Sequence, residues 1–460
     1  MRAWRIGFGL ALVAAFACTP TPADGPADAG SASDPGTSSL FAEDRVAALR
    51  IELGADDWAA MLADPEAEVW FPGAVEYDDA RLEQVQVRVK GNSSLRSVAA
   101  MGSHRFSFKV DLNDTLEDQE LLGQSKLVLN NGFKDPTLLR EALAYGVARA
   151  AGLPASRTGF VDLWVGDEHL GLYTLVEDVG GRFLDERFQD GDGILYQPEP
   201  PAGELRYRGD SIEDYPGLEV ERHEELGHAA YVALVAALQV GDVVALAGHL
   251  DVELALRYLS VNALLANLDS YLGTAHNYYL YGEDQRFTVI PWDMNEAFGV
   301  FTCGCDRAGL IALPIEEPTC APAEARPLVT TLLAEAELAA RYRELIGELL
   351  DGPFAEDAMA ARVDALAAVV RPVVAADTSK FFTTEQFEQG MESDVPGGGI
   401  GLMSFVRERR AAVAAQLDGS APADAAGQGG CRGGGAANPC GDGVCDQAEQ
   451  NNPGLCPQDC

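Results

Sequence analysis

The chain has 460 residues and is 47% hydrophobic, enough to bury a large core in one large domain or in two or three smaller ones. Its 72 acidic residues against 33 lysines and arginines give a formal net charge of −39. That balance argues against partners held by attraction to a phosphate backbone, nucleic acid first among them, and predicts a soluble, acidic surface.

The N-terminus opens on Met1-Arg-Ala-Trp-Arg5 and continues with an apolar stretch from Ile6 to Ala17. This is the basic region and short apolar region of an export signal, too short to span a bilayer as a retained helix, so residues 1–18 read as a signal peptide. Cys18 follows Ala15-Phe-Ala17 in the manner of a bacterial lipobox, although Phe16 and Ala15 depart from its usual form. Lipidation of Cys18, the one route to a membrane, and simple secretion both stay open. Residues 19–40 are too poor in large apolar side chains to pack and read as a flexible linker.

Next, Val46–Leu53 reads as a strand, 55–62 as a short helix, and Leu82–Lys90 alternates as a half-buried strand does. A turn is expected at Gly91-Asn-Ser-Ser94, then strands over 104–111 and 125–130. Residues 136–151 have helical periodicity, with Asp135 as N-cap, Pro136 at the first helical position and Gly152 closing the helix. Strands follow at 159–165 and 170–177, joined by a turn at Gly166-Asp167. From about Glu225 the composition shifts to Ala-, Leu- and Val-rich helices, at 226–240, 251–267, 325–351, 354–376 and 400–417. Residues 419–438 are a Gly- and Ala-rich linker, and 439–460 form a Cys-rich motif.

Besides Cys18 there are eight cysteines, Cys303, Cys305, Cys320, Cys431, Cys440, Cys445, Cys456 and Cys460, an even number suited to disulfides in an exported chain. No Cys-x-x-Cys favours zinc, and the connectivity is open. His223-Glu-Glu-Leu-Gly-His228 is one residue too long for a zinc-protease helix: five residues set two imidazoles roughly 140° apart, where four give ~40°.

The chemistry concentrates in two acidic segments about two dozen positions apart. Asn267-Leu-Asp269 follows an apolar helical run, and Asn277-Tyr-Tyr-Leu-Tyr281 follows it; Pro291-Trp-Asp293 then ends a strand-like segment. Phosphoryl transfer is often built this way, one carboxylate orienting the attacking group while an Asn and a second Asp hold Mg²⁺ against nucleotide phosphates.

Five segments in order carry a resemblance across roughly residues 46–418: Arg88–Ser94, Lys126–Asn131 with Asp135 and Leu139-Arg-Glu141, Gly171–Glu177, Asn267–Tyr281, and Pro291-Trp-Asp293. Together they resemble the spore coat protein H (CotH) kinase family of atypical protein kinases. The resemblance implies an α+β, protein-kinase-like two-lobe fold over residues 41–418, with a β-rich N-lobe, a helical C-lobe and the Cys-rich mini-module behind. It implies ATP with Mg²⁺ or Mn²⁺, and Ser or Thr acceptors on an exported protein at the cell surface or in the periplasm. Asp269 then takes the catalytic-loop position, and Asp293 the metal position with Asn277 and Asn295. The family commonly has a second Asp where this chain has Asn295, which would neutralise less charge. Lys109, paired with Glu141, is the first choice to steady phosphate and Lys90 the competitor; Ser93, Ser94 and Glu177 are further nucleotide candidates, and Arg140 reads as a helix-surface residue. A kinase-like protein that binds nucleotide without transferring phosphate, and a structural surface protein, are the alternatives.

Overall fold

A computed structural model describes residues 40–189, 191–425 and Cys431. Cys18, the signal peptide, and Cys440, Cys445, Cys456 and Cys460 lie outside the described residues. The longest strand among the described residues, eleven residues, shows how the barrel is specified. In β3 (Ala80–Lys90) the residues Val85, Val87 and Val89 are buried in one core, while Gln86, Arg88 and Lys90 stand on the other face. β1 (Val46–Leu53), β2 (Phe71–Tyr77), β4 (Ser107–Asp111), β5 (Lys126–Asn130), β6 (Thr158–Val165) and β7 (Glu168–Val176) join it in a closed barrel of order β1-β2-β3-β4-β5-β7-β6. A parallel pairing of β1 with β6 closes it, leaving no barrel edge open to stray pairing.

A second, four-stranded antiparallel sheet has the order β11-β10-β8-β9, formed by β8 (Ile194–Pro198), β9 (Leu218–Arg222), β10 (Tyr278–Glu283) and β11 (Arg286–Pro291). Asp284 and Gln285, both at positive φ, make the tight turn of the β10–β11 hairpin. The remaining core is helical, chiefly Ala229–Val240, Val252–Leu264, Pro327–Ala334, Ala336–Asp351, Glu356–Ala376 and Leu402–Leu417. The architecture is thus mixed α+β. None of the described helices is long and apolar enough to cross a membrane.

Several expectations are corrected. The helix expected over 136–151 runs only from Arg140 to Ala150, because Leu138 adopts a left-handed conformation and Asp135 turns the chain first. Its carboxylate accepts from the Thr137 N–H at 2.8 Å and the Arg140 N–H at 2.9 Å. The turn at 91–94 gives way to a helix, Ser93–Ala100, and the helix at 325–351 is two, broken at Glu335 by an extended ψ of 120°. Strands β2, β8 and β9 and the helices Gly181–Arg187 and Thr384–Glu392 were not legible in the periodicity. Cys303 pairs with Cys320 and Cys305 with Cys431. The start of the 419–438 segment packs on the domain, where the Glu316 N–H donates to Ala423 O at 2.8 Å and the Ala425 N–H to Glu317 at 2.9 Å.

One buried charge ties barrel to helices. Arg105, fully buried, donates to Asp377 Oδ2 at 2.8 Å, Ser379 Oγ at 2.9 Å and Asn131 O at 3.1 Å, and also to the carbonyls of Leu170 and Leu172. Asp377 follows the helix Glu356–Ala376, and it enters β7 only because Gly171 has no side chain: a Cβ there would meet the Asp377 carboxylate at 2.0 Å, and φ is +77°. Removing one partner of such a pair strands a buried charge. Asp377→Ala is therefore expected to lower stability by about 3–5 kcal/mol in urea unfolding; a loss within about 0.5 kcal/mol, as at a surface site, would contradict this.

Candidate active site

The β10–β11 hairpin explains how distant acids meet. Its register sets Tyr278 opposite Pro291, and the Trp292 N–H donates to Asn277 O at 3.2 Å, so Asn277 stands directly across from the Trp292-Asp293 corner. Asn277, at φ 59°, turns its amide back: Nδ2 donates to Asp269 O at 2.9 Å and to Asp269 Oδ2 at 3.1 Å. Asp269, Asn277 and Asp293 thereby line one cleft of about 260 Å³, with Asn295 on the short 3-10 turn Met294–Glu296 that Asp293 opens. Asp293 is itself left-handed, and its N–H donates to the hydroxyl of buried Tyr145 at 3.0 Å, fixing the corner to the helix Arg140–Ala150.

The helix that delivers Asp269 is held at its end. Arg409, fully buried on the last helix, donates to Ala263 O at 2.8 Å and Leu264 O at 3.3 Å, two of the last carbonyls of Val252–Leu264. It also donates to Leu313 O at 2.7 Å and Ile311 O at 2.9 Å. Burial pulls its pKa down to about 10, so it stays charged at neutral pH.

The barrel supplies the opposite wall. Lys90 pairs with Ser107, Arg88 with Lys109, and Lys109 with Val128, so one face of three neighbouring strands brings Lys90, Lys109 and Ser107 to the cleft, with Ser93 and Ser94 in the first turn of the adjoining helix. Lys109 bonds Asp178 at 3.1 Å, and the ion pair expected between Lys109 and Glu141 is not formed. Glu141 instead accepts from Asn130 Nδ2 at 2.7 Å and feels the charge of Lys90, which sits 5.8 Å above the Trp292 ring. Glu177 is drawn away from the cleft: it is fully buried and paired with Arg157 and Arg187. Arg140, expected on the helix surface, is fully buried against Asp135 and Ile400 O. His223 and His228 do not converge; the first lies beside Glu225 and the second bonds the Tyr196 hydroxyl at 2.8 Å.

Four residues that sequence reasoning passed over complete the site. His276 Nε2 lies 3.0 Å from Asp269 Oδ1, and its Nδ1 lies 3.7 Å from Glu199. Lys134 Nζ lies 3.0 Å from Glu296 Oε1. His276 carried a signal, being one of only six histidines and adjoining Asn277; Glu199, Lys134 and Glu296 carried none, since only the fold brings them in. The carboxyl groups repel one another here. Glu141 is pushed up to about 8 by burial and then by Asp293, against Lys90 and the Asn130 bond. Glu296 is pushed up to about 7 by burial, with Asp269 and Asp293 adding to it and Lys134 opposing. Burial likewise raises Glu199. For His276 burial pulls downward, but the Asp269 bond and the surrounding acids outweigh it and leave the imidazole above its ordinary value.

Oxygen donors with an excess of negative charge suit a hard divalent cation. Among the described residues no three His, Cys, Asp or Glu form a metal cluster by themselves; the cleft instead mixes the carboxylates of Asp269 and Asp293 with the side-chain amides of Asn277 and Asn295. These features define a kinase-like protein: over residues 87–413 the chain matches the CotH kinase protein family, and it belongs to that family. Among its relatives, the inner spore coat protein H of Bacillus subtilis (strain 168) is 25% identical over 312 residues, 65% of this chain and 82% of that protein. A solved chain of the Shewanella oneidensis MR-1 HipA, HipB toxin–antitoxin system with its operator DNA matches at 13% identity and a TM-score of 0.19, over 61% of this chain and 60% of that one.

Glu141 gives a pH test. Its folded pKa lies above the ordinary 4.5, so the folded state holds the proton more tightly, and the stability this confers is complete below about pH 4.5 and lost as pH rises through about 8. Glu141→Gln cannot ionise. In thermal melts without added divalent cation, its Tm relative to the parent should rise between about pH 5 and pH 9; parallel Tm curves would show that Glu141 is not shifted.

Proposed function

We propose that this protein is an atypical protein kinase, exported and acting at the cell surface or in the periplasm, which transfers the γ-phosphate of ATP to Ser or Thr hydroxyls of another exported protein. In this reading the barrel and the helical region are the two lobes of a kinase-like fold. The observation that carries it is the convergence of Asp269 and Asp293 on one cleft whose other wall presents Lys90 and Lys109. Membership of the CotH kinase family supports it, as does the spore-coat relative, whose name places it in a coat.

Asp293, with the amides of Asn277 and Asn295, would hold Mg²⁺ or Mn²⁺, which neutralises phosphate charge when bound. Asp269 accepts the proton of the attacking hydroxyl as its oxygen bonds to the γ-phosphorus and the bond to the departing ADP breaks. Lys90, without an ion-pair partner within 4.0 Å among the described residues, is better placed than Lys109 to meet phosphate, because Lys109 would have to leave Asp178. Ser93 and Ser94 add the hydroxyls and amides of a helix N-terminus to the same wall.

The test is transfer of labelled γ-phosphate by the purified protein, with Mg²⁺ or Mn²⁺, to itself and to a Ser-rich acceptor. Asp269→Ala should lower transfer by about 10²- to 10⁴-fold, and Asp293→Ala should abolish it. Binding of ATP without any labelling would favour the second reading, a nucleotide-binding protein without transfer, to which Asn295 lends support as the less neutralising ligand. No nucleotide binding at all would overturn both.

A further inference from the structure

Asp269 does not stand free in the cleft. Both of its carboxylate oxygens are held by consecutive residues at the start of β10: Oδ1 by His276 Nε2 at 3.0 Å and Oδ2 by Asn277 Nδ2 at 3.1 Å. An ionised carboxylate can only accept, so Nε2 must carry a proton and point it at Asp269. Behind the ring, Glu199 faces Nδ1 at 3.7 Å. Glu199 comes from a different element, the residue after β8, and its own N–H is fixed on Gly217 O at 2.7 Å. The ring therefore lies between two acids, Asp269 from the segment after the helix Val252–Leu264 and Glu199 from just after β8, and it is half-buried.

We infer that His276 is a positioning residue for Asp269: it holds the carboxylate in the orientation that meets the acceptor hydroxyl. The inference rests on the transfer mechanism proposed above. A carboxylate has about four lone-pair sites, so one bond to each oxygen from the β10 start leaves room for the hydroxyl proton. With its Nε2–H committed to Asp269, His276 is neither a metal ligand through that atom nor the proton acceptor. The His276 ring bonds Asp269 through Nε2, so its loss should act chiefly on the chemical step and leave ATP binding little changed. A group misplaced by about 1 Å costs roughly 10²-fold in rate.

The test measures kcat and KM for ATP in the parent protein and in His276→Ala, His276→Asn and His276→Gln. Gln can bring an amide N–H to the position of Nε2, whereas Asn carries the same amide one methylene short. The expected result is that His276→Ala and His276→Asn lower kcat by roughly 10- to 100-fold with KM changed less than about twofold, and that His276→Gln recovers most of the loss. If the alanine variant does not fold, the Asn and Gln pair still decides. Unchanged kcat in the Ala and Asn variants, or equal kcat in Gln and Asn, overturns the positioning role while transfer by the parent protein leaves the kinase reading standing. Absence of transfer by the parent itself overturns both.

Discussion

Mutual repulsion among carboxyl groups is the constraint on which this structure depends. Asp269, Asp293, Glu199 and Glu296 line one small cleft, with Glu141 buried behind it. Folding gathers them against both desolvation and Coulomb repulsion, and the raised pKa values of Glu141 and Glu296 record that opposition. Lys134, Lys90 and His276 offset part of the charge. A divalent cation would offset more of that charge.

The rest of the fold can be understood as what holds those acids in place. Arg105 and Asp377 fasten β7 of the barrel to the end of a long helix. Arg409 closes the helix that leads to Asp269, and Tyr145 takes the N–H of Asp293. Asp135 and Arg140 make a second buried ion pair, whose guanidinium reaches Ile400 O ahead of the last helix. Apart from the local Asp135–Arg140 bond, each of these links joins segments far apart in sequence. The disulfide Cys303–Cys320 adds a covalent one close to the loop after Asp269, since a Cβ on Gly273 would meet Cys320 Sγ at 2.9 Å.

What the sequence made legible was local. Alternation in Leu82–Lys90 and 104–111 gave the strands and the faces of Lys90 and Lys109 correctly, because a half-buried strand writes its pleat into every second residue. It could not give partners: Lys109 meets Asp178, beyond β7, where the sequence suggested Glu141. Asp269 and Asp293 stood out at the ends of a helix and a strand, but their meeting depends on a hairpin register that periodicity does not encode. The shorter helix at Arg140 shows the same limit, since a side-chain bond from Asp135 to a backbone N–H can turn the chain where propensity favours helix. Glu177 was misread because three arginines of separate segments, Arg149, Arg157 and Arg187, gather around it only in the fold.

The central claim is that the acidic cleft is completed by cation and nucleotide together. Calorimetric titration of ATP into the protein, with Mg²⁺ or Mn²⁺ and again with the cation chelated, tests it most directly. The account predicts saturable binding with the cation, and with it chelated no measurable binding, because the uncompensated carboxylates repel the phosphates. Equal affinity in both conditions, or no binding in either, would contradict it.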